Sequence, residues 1–228
     1  MDMPKIKALI FMKHNSVRVP KKNIRNFCGR PLFHWILQTL ENSEYISEVI
    51  VNTDSEEIAN EAKKNFNVTI HMRPEHLLTI NSNEANQIIE YDLSLTEGEY
   101  FLQTHSTNPN LQVDTVNRSI EAFFEAKDHD SLISVTPIRK RFYWPDGRPV
   151  NHDPQNMIKT QNQIPLYEEN SCIYLFSKDG FLKHHNRIGV NPLFFPINAM
   201  EAVDIDEESD FIIAESVKHY FNKMNSGL

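Results

Sequence analysis

The amino-acid sequence predicts a three-layer α/β domain built on a mostly parallel sheet, and three observations carry that reading. Short β-rich apolar runs alternate with segments of helical period over the first three-fifths of the chain, a rhythm that joins parallel strands through right-handed helical crossovers. The 228 residues are 40% hydrophobic, enough to bury roughly 70% of the unfolded surface in one core without disulfides or a structural metal. The longest apolar runs, such as 8–12, are about five residues, against the ~20 a membrane-spanning helix needs. One domain, residues 1–228, with no membrane span and no secretory signal, is the expectation.

Each element has its own signal. Residues 7–12 are an apolar strand followed by a polar, proline-containing loop, and Pro31 at a first helical position opens a helix over 31–40. Residues 48–52 (EVIVN) read as a buried strand, and Asp54 with Glu57 three residues on forms a capping box for a helix ending near Asn65. Alternation then gives strands at 68–72, 100–103 and 131–136 and helices at 83–96 and 113–126. After Pro137 the rhythm stops. Four prolines, an Asp146-Gly147 turn signal and no helical period make 138–166 a β-hairpin excursion from the sheet. Strands at 171–176 and 193–197 and an amphipathic helix at 207–222 close the order.

Charge is segregated. Residues 3–40 hold eight basic side chains and no Asp or Glu, so the remainder of a chain with net charge −8 carries −8 − 8 = −16. A local cationic site inside an acidic protein suits a small polyanion and repels extended nucleic acid. The opposite pole, 200–216, holds seven carboxylates and no cation, a density that suits a hard metal ion. Either stretch also fits a solvated face. Two cysteines without CxxC or HExxH spacing argue against a disulfide framework and a zinc site and for a reducing, cytoplasmic compartment. With 6 glycines and neither GxGxxG nor GxxxxGK[ST], the dinucleotide and P-loop readings lose their support.

In an open α/β sheet, ligands bind beyond the carboxyl ends of the strands. The loop after the first strand, K-H-N-S-V-R-V-P-K-K-N, gathers Lys13, Asn15, Ser16, Arg18, Lys22 and Asn23 without a glycine, so a phosphate would be held by side chains. In V-D-I-D, an extended backbone puts Asp204 and Asp206 on one face, where two carboxylates can hold Mg²⁺; Asp206 also stands where an N-cap of the closing helix belongs. Gln103, at the end of a mid-sheet strand, is an amide able to read a nucleobase edge. His14 and His105 are the candidates for a general base by residue type, since imidazole is the side chain suited to that role near neutral pH.

Taken together, K-H-N-S-V-R-V-P-K-K-N-I, G-R-P-L, V-N-T-D-S-E-E-I-A, M-R-P-E, F-L-Q-T-H-S-T-N-P, E-N-S-C-I-Y and V-D-I-D-E-E-S-D-F resemble, in order and across nearly the whole chain, the acylneuraminate cytidylyltransferases. The resemblance implies a nucleotidyltransferase domain of the nucleotide-diphospho-sugar transferase type, with a protruding hairpin that interlocks two subunits into a homodimer, with pairing of dimers as an extension. It implies transfer of CMP from CTP to the anomeric hydroxyl of N-acetylneuraminic acid or another 2-keto-3-deoxy acid sugar (legionaminic, pseudaminic or 3-deoxy-octulosonic acid), with release of pyrophosphate. By motif position, Lys13, Ser16, Lys22 and Asn23 would contact the triphosphate and nucleotide, and Arg73 and Gln103 the cytidine or the sugar. Asn170 would lie on the sugar side, Asp204 and Asp206 would bind Mg²⁺, and Lys140, Arg141 and Gln161 of the hairpin would face the sugar carboxylate in the neighbouring subunit. The chain departs from the family pattern at Lys13 (Arg), at Val17 with Arg18 (Lys after the serine), at L-Q-T-H-S-T-N-P (L-Q-P-T-S-P-L-R) and at Asn170-Ser171-Cys172 (N-G-A). A nucleotide-binding homologue without activity is the alternative from another class.

Overall fold

A strand that is apolar on both faces belongs inside a sheet, and the first apolar run does so as β1 (Ile6–Met12) in this computed structural model, which describes residues 3–78 and 84–225. The order continues with β2 (Asn26–Phe27), β3 (Arg30–Pro31), α1 (Leu32–Glu41), β4 (Ile46–Thr53), α2 (Glu56–Asn65), β5 (Val68–Met72), α3 (Glu84–Leu95), β6 (Tyr100–His105), α4 (Val113–Glu125), β7 (Ser131–Ile138), β8 (Leu166–Ser177), α5 (Lys178–His184), β9 (Pro192–Pro196) and α6 (Glu208–Asn225). Seven strands form one sheet in the order β5-β4-β1-β6-β8-β7-β9. β5, β4, β1 and β6 are mutually parallel, as are β7 and β9, whereas β8 runs antiparallel to β6 and to β7. The sheet is therefore mostly parallel. The carboxyl ends of β1, β4, β5 and β6 share one edge, and the loops that follow them meet there.

The apolar side chains divide into a large cluster, containing Ile10, Phe33, Leu37, Leu102 and Ile120, and a second around Leu9, Ile89, Phe101 and Tyr174. A third links the two ends of the chain: Val19, Phe27 and Leu32 pack with Ile205, Phe211 and Ala214.

Three local expectations are corrected. Pro31 is the N-cap of α1 instead of its first residue, and the hairpin β2–β3 precedes it, turning at Cys28-Gly29 with φ of 49° and 91°. Two positive φ values in a two-residue loop make a type I′ turn, which Cys-Gly does not advertise. Helix α2 is capped by Ser55, whose Oγ accepts from Ile58 N at 3.3 Å, not by the Asp54–Glu57 box. Its Asp54 is occupied elsewhere, accepting from His14 N at 2.6 Å. Residues 139–165 are not a two-stranded ladder. The ladder belongs to β7 and β8, and the excursion at its tip holds the bridge Tyr143–Pro149, a tight turn in which Gly147 has φ 85° and a 3₁₀ turn at Thr160–Asn162. Position 83, where the third helix was expected to begin, lies outside the described residues.

Leu102 is fully buried at the centre of the largest cluster. Leu102→Ala is expected to lower the unfolding free energy by about 3 kcal/mol, read as a shift in urea midpoint at unchanged slope.

Candidate active site

A loop without glycine cannot wrap an anion with its own amides, so other parts of the chain must fix it. After β1, Asn23 is buried; its Nδ2 donates to the carbonyl of Lys13 at 2.9 Å and its Oδ1 accepts from Ser106 Oγ at 2.6 Å. Ser16 Oγ accepts from Val19 N at 3.4 Å, and Val19 is clamped in the third apolar cluster. Lys21 bends the chain with φ 52° into a short 3₁₀ turn that carries Lys22 and Asn23. The result is a cleft of about 580 Å³ whose walls include Lys13, Asn15, Ser16, Arg18, Lys22 and Asn23 from this loop. Arg73 joins from the end of β5, Glu84, Ala85 and Ile88 from α3, and His105, Ser106 and Thr107 from the end of β6.

The cations are held in different ways. Lys13 Nζ pairs with Glu84 at 2.6 Å on the exposed side. Arg73 is buried, donating from Nε to Asn52 Oδ1 at 2.8 Å; its Nη1 makes no hydrogen bond among the described residues. Asn52 is itself fixed by the fully buried Asp92, which also meets His71 at 2.8 Å. Burial lowers the pKa of Arg73, opposed by Asp54, Glu84 and Asp92. Lys22 donates to the carbonyl of Ile205 and lies 3.9 Å from Asp206; burial pulls its pKa down while Asp204 and Asp206 push it up.

The carboxylates of 200–216 sort themselves by partner. Glu201 accepts from Gln112 N and Thr115 Oγ1 at the start of α4. Glu208 forks onto Arg25 through two contacts of 2.6 Å, and Glu215 accepts from Cys28 N. Asp210, in the first turn of α6, reaches back with Oδ2 to the amides of Asp206 and Glu207, the return half of a capping box, and the Asp206 carboxylate pairs elsewhere. Asp206 pairs with Arg18 at 2.7 Å. Asp204 is half-buried and held by Thr107, and its Oδ1, shielded from solvent, has no hydrogen-bond partner among the described residues. Burial, with Asp206 adding to it, raises its pKa. A buried carboxylate oxygen with no partner beside a second carboxylate is a donor set that fits a hard divalent cation.

Asp204 and Asp206 are not among the walls of the cleft and border it through Thr107, Arg18 and Lys22, whereas three other sequence-predicted residues lie away from it. Gln103 is fully buried one layer behind it, with both ends of its amide bonded inside the protein. Asn170 pins the irregularity between β7 and β8, accepting from Ser134 Oγ at 2.6 Å and donating to Thr136 Oγ1 at 3.0 Å, next to Ser171 at φ 57°. Ser171 thus takes the left-handed conformation that favours glycine, at the position where the family pattern has one. Gln161 is exposed on the excursion, in the turn Thr160–Asn162. Sequence reasoning missed Glu84, Ile88 and Arg187. An ordinary helical pattern hides the first two, and nothing in the sequence around Arg187 marks it.

A mostly parallel sheet whose first loop turns cationic side chains toward a carboxylate pair at the carboxyl edge has its candidate site where open α/β sheets bind their ligands. The sequence profile of the family described as Cytidylyltransferase matches residues 7–220, and the chain belongs to that family. It is 30% identical over 225 residues to the post-translational flagellin modification protein B of Campylobacter coli, covering 93% of this chain and 94% of the other. With the CMP-N,N'-diacetyllegionaminic acid synthase of Campylobacter jejuni it shares 27% over 224 residues, again covering 93% and 94%. The solved structure of a CMP:2-keto-3-deoxy-manno-octonic acid synthetase complexed with CTP superposes with a TM-score of 0.71 at 11% identity, over 95% of this chain and 99% of that one, a likeness of fold.

Because the folded-state pKa of Asp204 is raised, the native protein binds that proton more tightly than the unfolded chain, and the ionised carboxylate destabilises it at neutral pH. Asp204→Asn without metal is therefore expected to unfold at a higher temperature than the parent at neutral pH. The advantage should shrink as pH falls toward about 4, the ordinary carboxylate range. Calorimetry across that range reads it.

Proposed function

We propose that the protein transfers CMP from CTP to the anomeric hydroxyl of a nonulosonic acid. The observation that carries the proposal is the buried, unpartnered Oδ1 of Asp204, next to Asp206, the pair being tied through Thr107, Arg18 and Lys22 to a cleft that Lys13 and Arg73 also wall. The motif resemblance and the legionaminic acid synthase relative support the acid-sugar acceptor. In the reaction the anomeric oxygen attacks the α-phosphorus and the bond to the β-phosphate bridging oxygen breaks. Pyrophosphate leaves with the electron pair, and the hydroxyl proton passes to solvent.

The nucleophile belongs to the substrate, so the chain's own task is to align the two substrates and neutralise charge. Lys13 and Arg18 stand at the mouth and meet the triphosphate by charge, while Lys22, fixed by Ile205, holds a cation at constant position deeper in. Ser16 and Asn15 supply uncharged hydrogen bonds. Asp204 and Asp206 would hold Mg²⁺, which when bound neutralises phosphate charge and acidifies the attacking hydroxyl. Arg18 occupies Asp206 in the free chain and exchanges that partner for phosphate. A bounded cleft, rather than a basic stripe along the surface, supports a small nucleotide over nucleic acid.

A homodimer completes the proposal. Tyr143, Trp144, Met157, Ile158 and Ile164 are exposed on the excursion, a concentration of apolar side chains that a second copy would cover. Lys140, Arg141 and Gln161 on the same arm would then face the partner's cleft. No helix among the described residues is long and apolar enough to cross a membrane, and the supply of CTP supports action in the cytoplasm.

Pyrophosphate release is expected only when CTP, Mg²⁺ and an acid sugar are present together. Asp204→Asn should lower kcat/KM by roughly 100-fold or more; unchanged turnover in that variant would end the proposal. Sedimentation should find a dimer for the parent chain and a monomer when Trp144 and Ile164 are both replaced by Glu.

A further inference from the structure

Behind His105 runs a polar chain whose direction valence alone determines. Gln103 pairs with Tyr174 across β6 and β8, so their side chains share a face, and His105, two residues further along β6, joins them. Arg187, between α5 and β9, lies over the Tyr174 ring at 3.6 Å and donates from Nη1 to Gln103 Oε1 at 2.5 Å. A guanidinium has donors only, so the atom it meets is the amide oxygen and the NH₂ group lies on the other side. That Nε2 is 2.8 Å from the carbonyl of Thr104 and 3.2 Å from His105 Nε2. Its two hydrogens meet two acceptors, so His105 Nε2 is unprotonated. A neutral imidazole in that state carries its hydrogen on Nδ1. The ring lines the cleft, and the hydrogen bond that ties it to the protein runs through Nε2. Burial and the charges of Arg187 and Lys22 hold the ring neutral, with its pKa pushed down to about 3.

We propose that Arg187, acting through Gln103, holds His105 as the Nδ1–H tautomer and so makes it a fixed, neutral hydrogen-bond donor to an acceptor oxygen of the nucleotide in the cleft. The identity of that acceptor rests on the function proposed above; the tautomer does not. Arg187 and Gln103 are positioning residues. His105 cannot then serve as general base, because one nitrogen is engaged as an acceptor and the other already carries its proton. A donor set before the ligand arrives need not reorganise when charge moves on the phosphates.

The test is ¹⁵N-detected NMR of the histidine rings in the free, full-length chain at neutral pH, with the His105 signal assigned by its loss in His105→Asn. The expected pattern is a protonated Nδ1 and a bare Nε2. Gln103→Glu replaces the amide by a carboxylate of nearly the same shape that accepts from Arg187 and from the ring together, so the tautomer should invert to Nε2–H. Arg187→Met should release the amide and give a mixture. An Nε2–H or doubly protonated His105 in the parent chain overturns the proposal, as does a ring unchanged in both variants. For the donor role, His105→Leu should raise KM for CTP ~10-fold, the scale of one neutral hydrogen bond, and His105→Asn, which returns an N–H near Nδ1, should recover most of it. Equal losses in the two overturn the donor role. Failure of the parent chain to turn over CTP would instead overturn the functional reading, and the tautomer seen by NMR would stand.

Discussion

The ammonium of Lys22 donates to the carbonyl of Ile205, 183 positions along the chain, and the cleft depends on that contact. A glycine-rich phosphate loop can hold its own shape around an anion, whereas the loop after β1 is assembled from outside. Val19 sits in the apolar cluster that includes Ile205 and Phe211, Asn23 is gripped by Lys13 and Ser106, and Lys22 closes the joint. Burial of an ammonium is unfavourable unless negative groups attend it. Asp204 and Asp206 are those groups, and Lys22 in turn moderates the burial of Asp204. Loop, cation and carboxylates therefore hold one another in place, Lys22 through the Ile205 carbonyl and the two carboxylates through their charge on Lys22.

The two charge poles serve structure and site in separable portions. Lys7 pairs with Glu48, Arg25 with Glu208, and Arg30 lies over Trp35; of the five cations left, Lys13, Arg18 and Lys22 wall the cleft. Glu201 and Asp210 satisfy the orphaned amides of helix starts, and Glu215 holds the β2–β3 turn. Asp204, Asp206 and the exposed Glu207 remain. Segregated charge along a sequence thus becomes a site only after the fold has drawn off the members that close turns, caps and surface pairs.

Most of the fold was legible because period and punctuation agreed. β1, β5 and α4 lie where their apolar pattern put them, within a residue or two. What escaped was set by contacts at long range. The antiparallel direction of β8 is decided by its pairing with β6 and β7, and no local signal in 166–177 records it. Asp54 followed by Glu57 is a sound capping pattern, yet Ser55 won because His14 claims Asp54. The site divides the same way. The loop and the V-D-I-D pair could be read because their residue types are unusual for their surroundings. Gln103 could be found but not its depth, and Arg187 could not be found at all, since a guanidinium brought in by a remote loop leaves no trace near the strand it serves.

The departures from the family pattern fall into two physical kinds. At the mouth, a cation can shift by a position with little consequence, because attraction between a side-chain charge and a triphosphate is radial and weakly directional. Val17 is 99% exposed and Arg18 beside it reaches Asp206, so the charge is present although its place in the loop has moved. Deeper in, hydrogen bonds require angle as well as distance. There the departure at His105 is tied to its neighbours: His105 reads the amide of Gln103, the amide reads Arg187, and Arg187 lies on Tyr174. Changing one member alone would strand a buried donor or acceptor, which costs about 1–3 kcal/mol. A wall built this way changes as a unit, and the cleft it bounds can differ in what it accepts while the carboxylate pair and Lys22 stay in place.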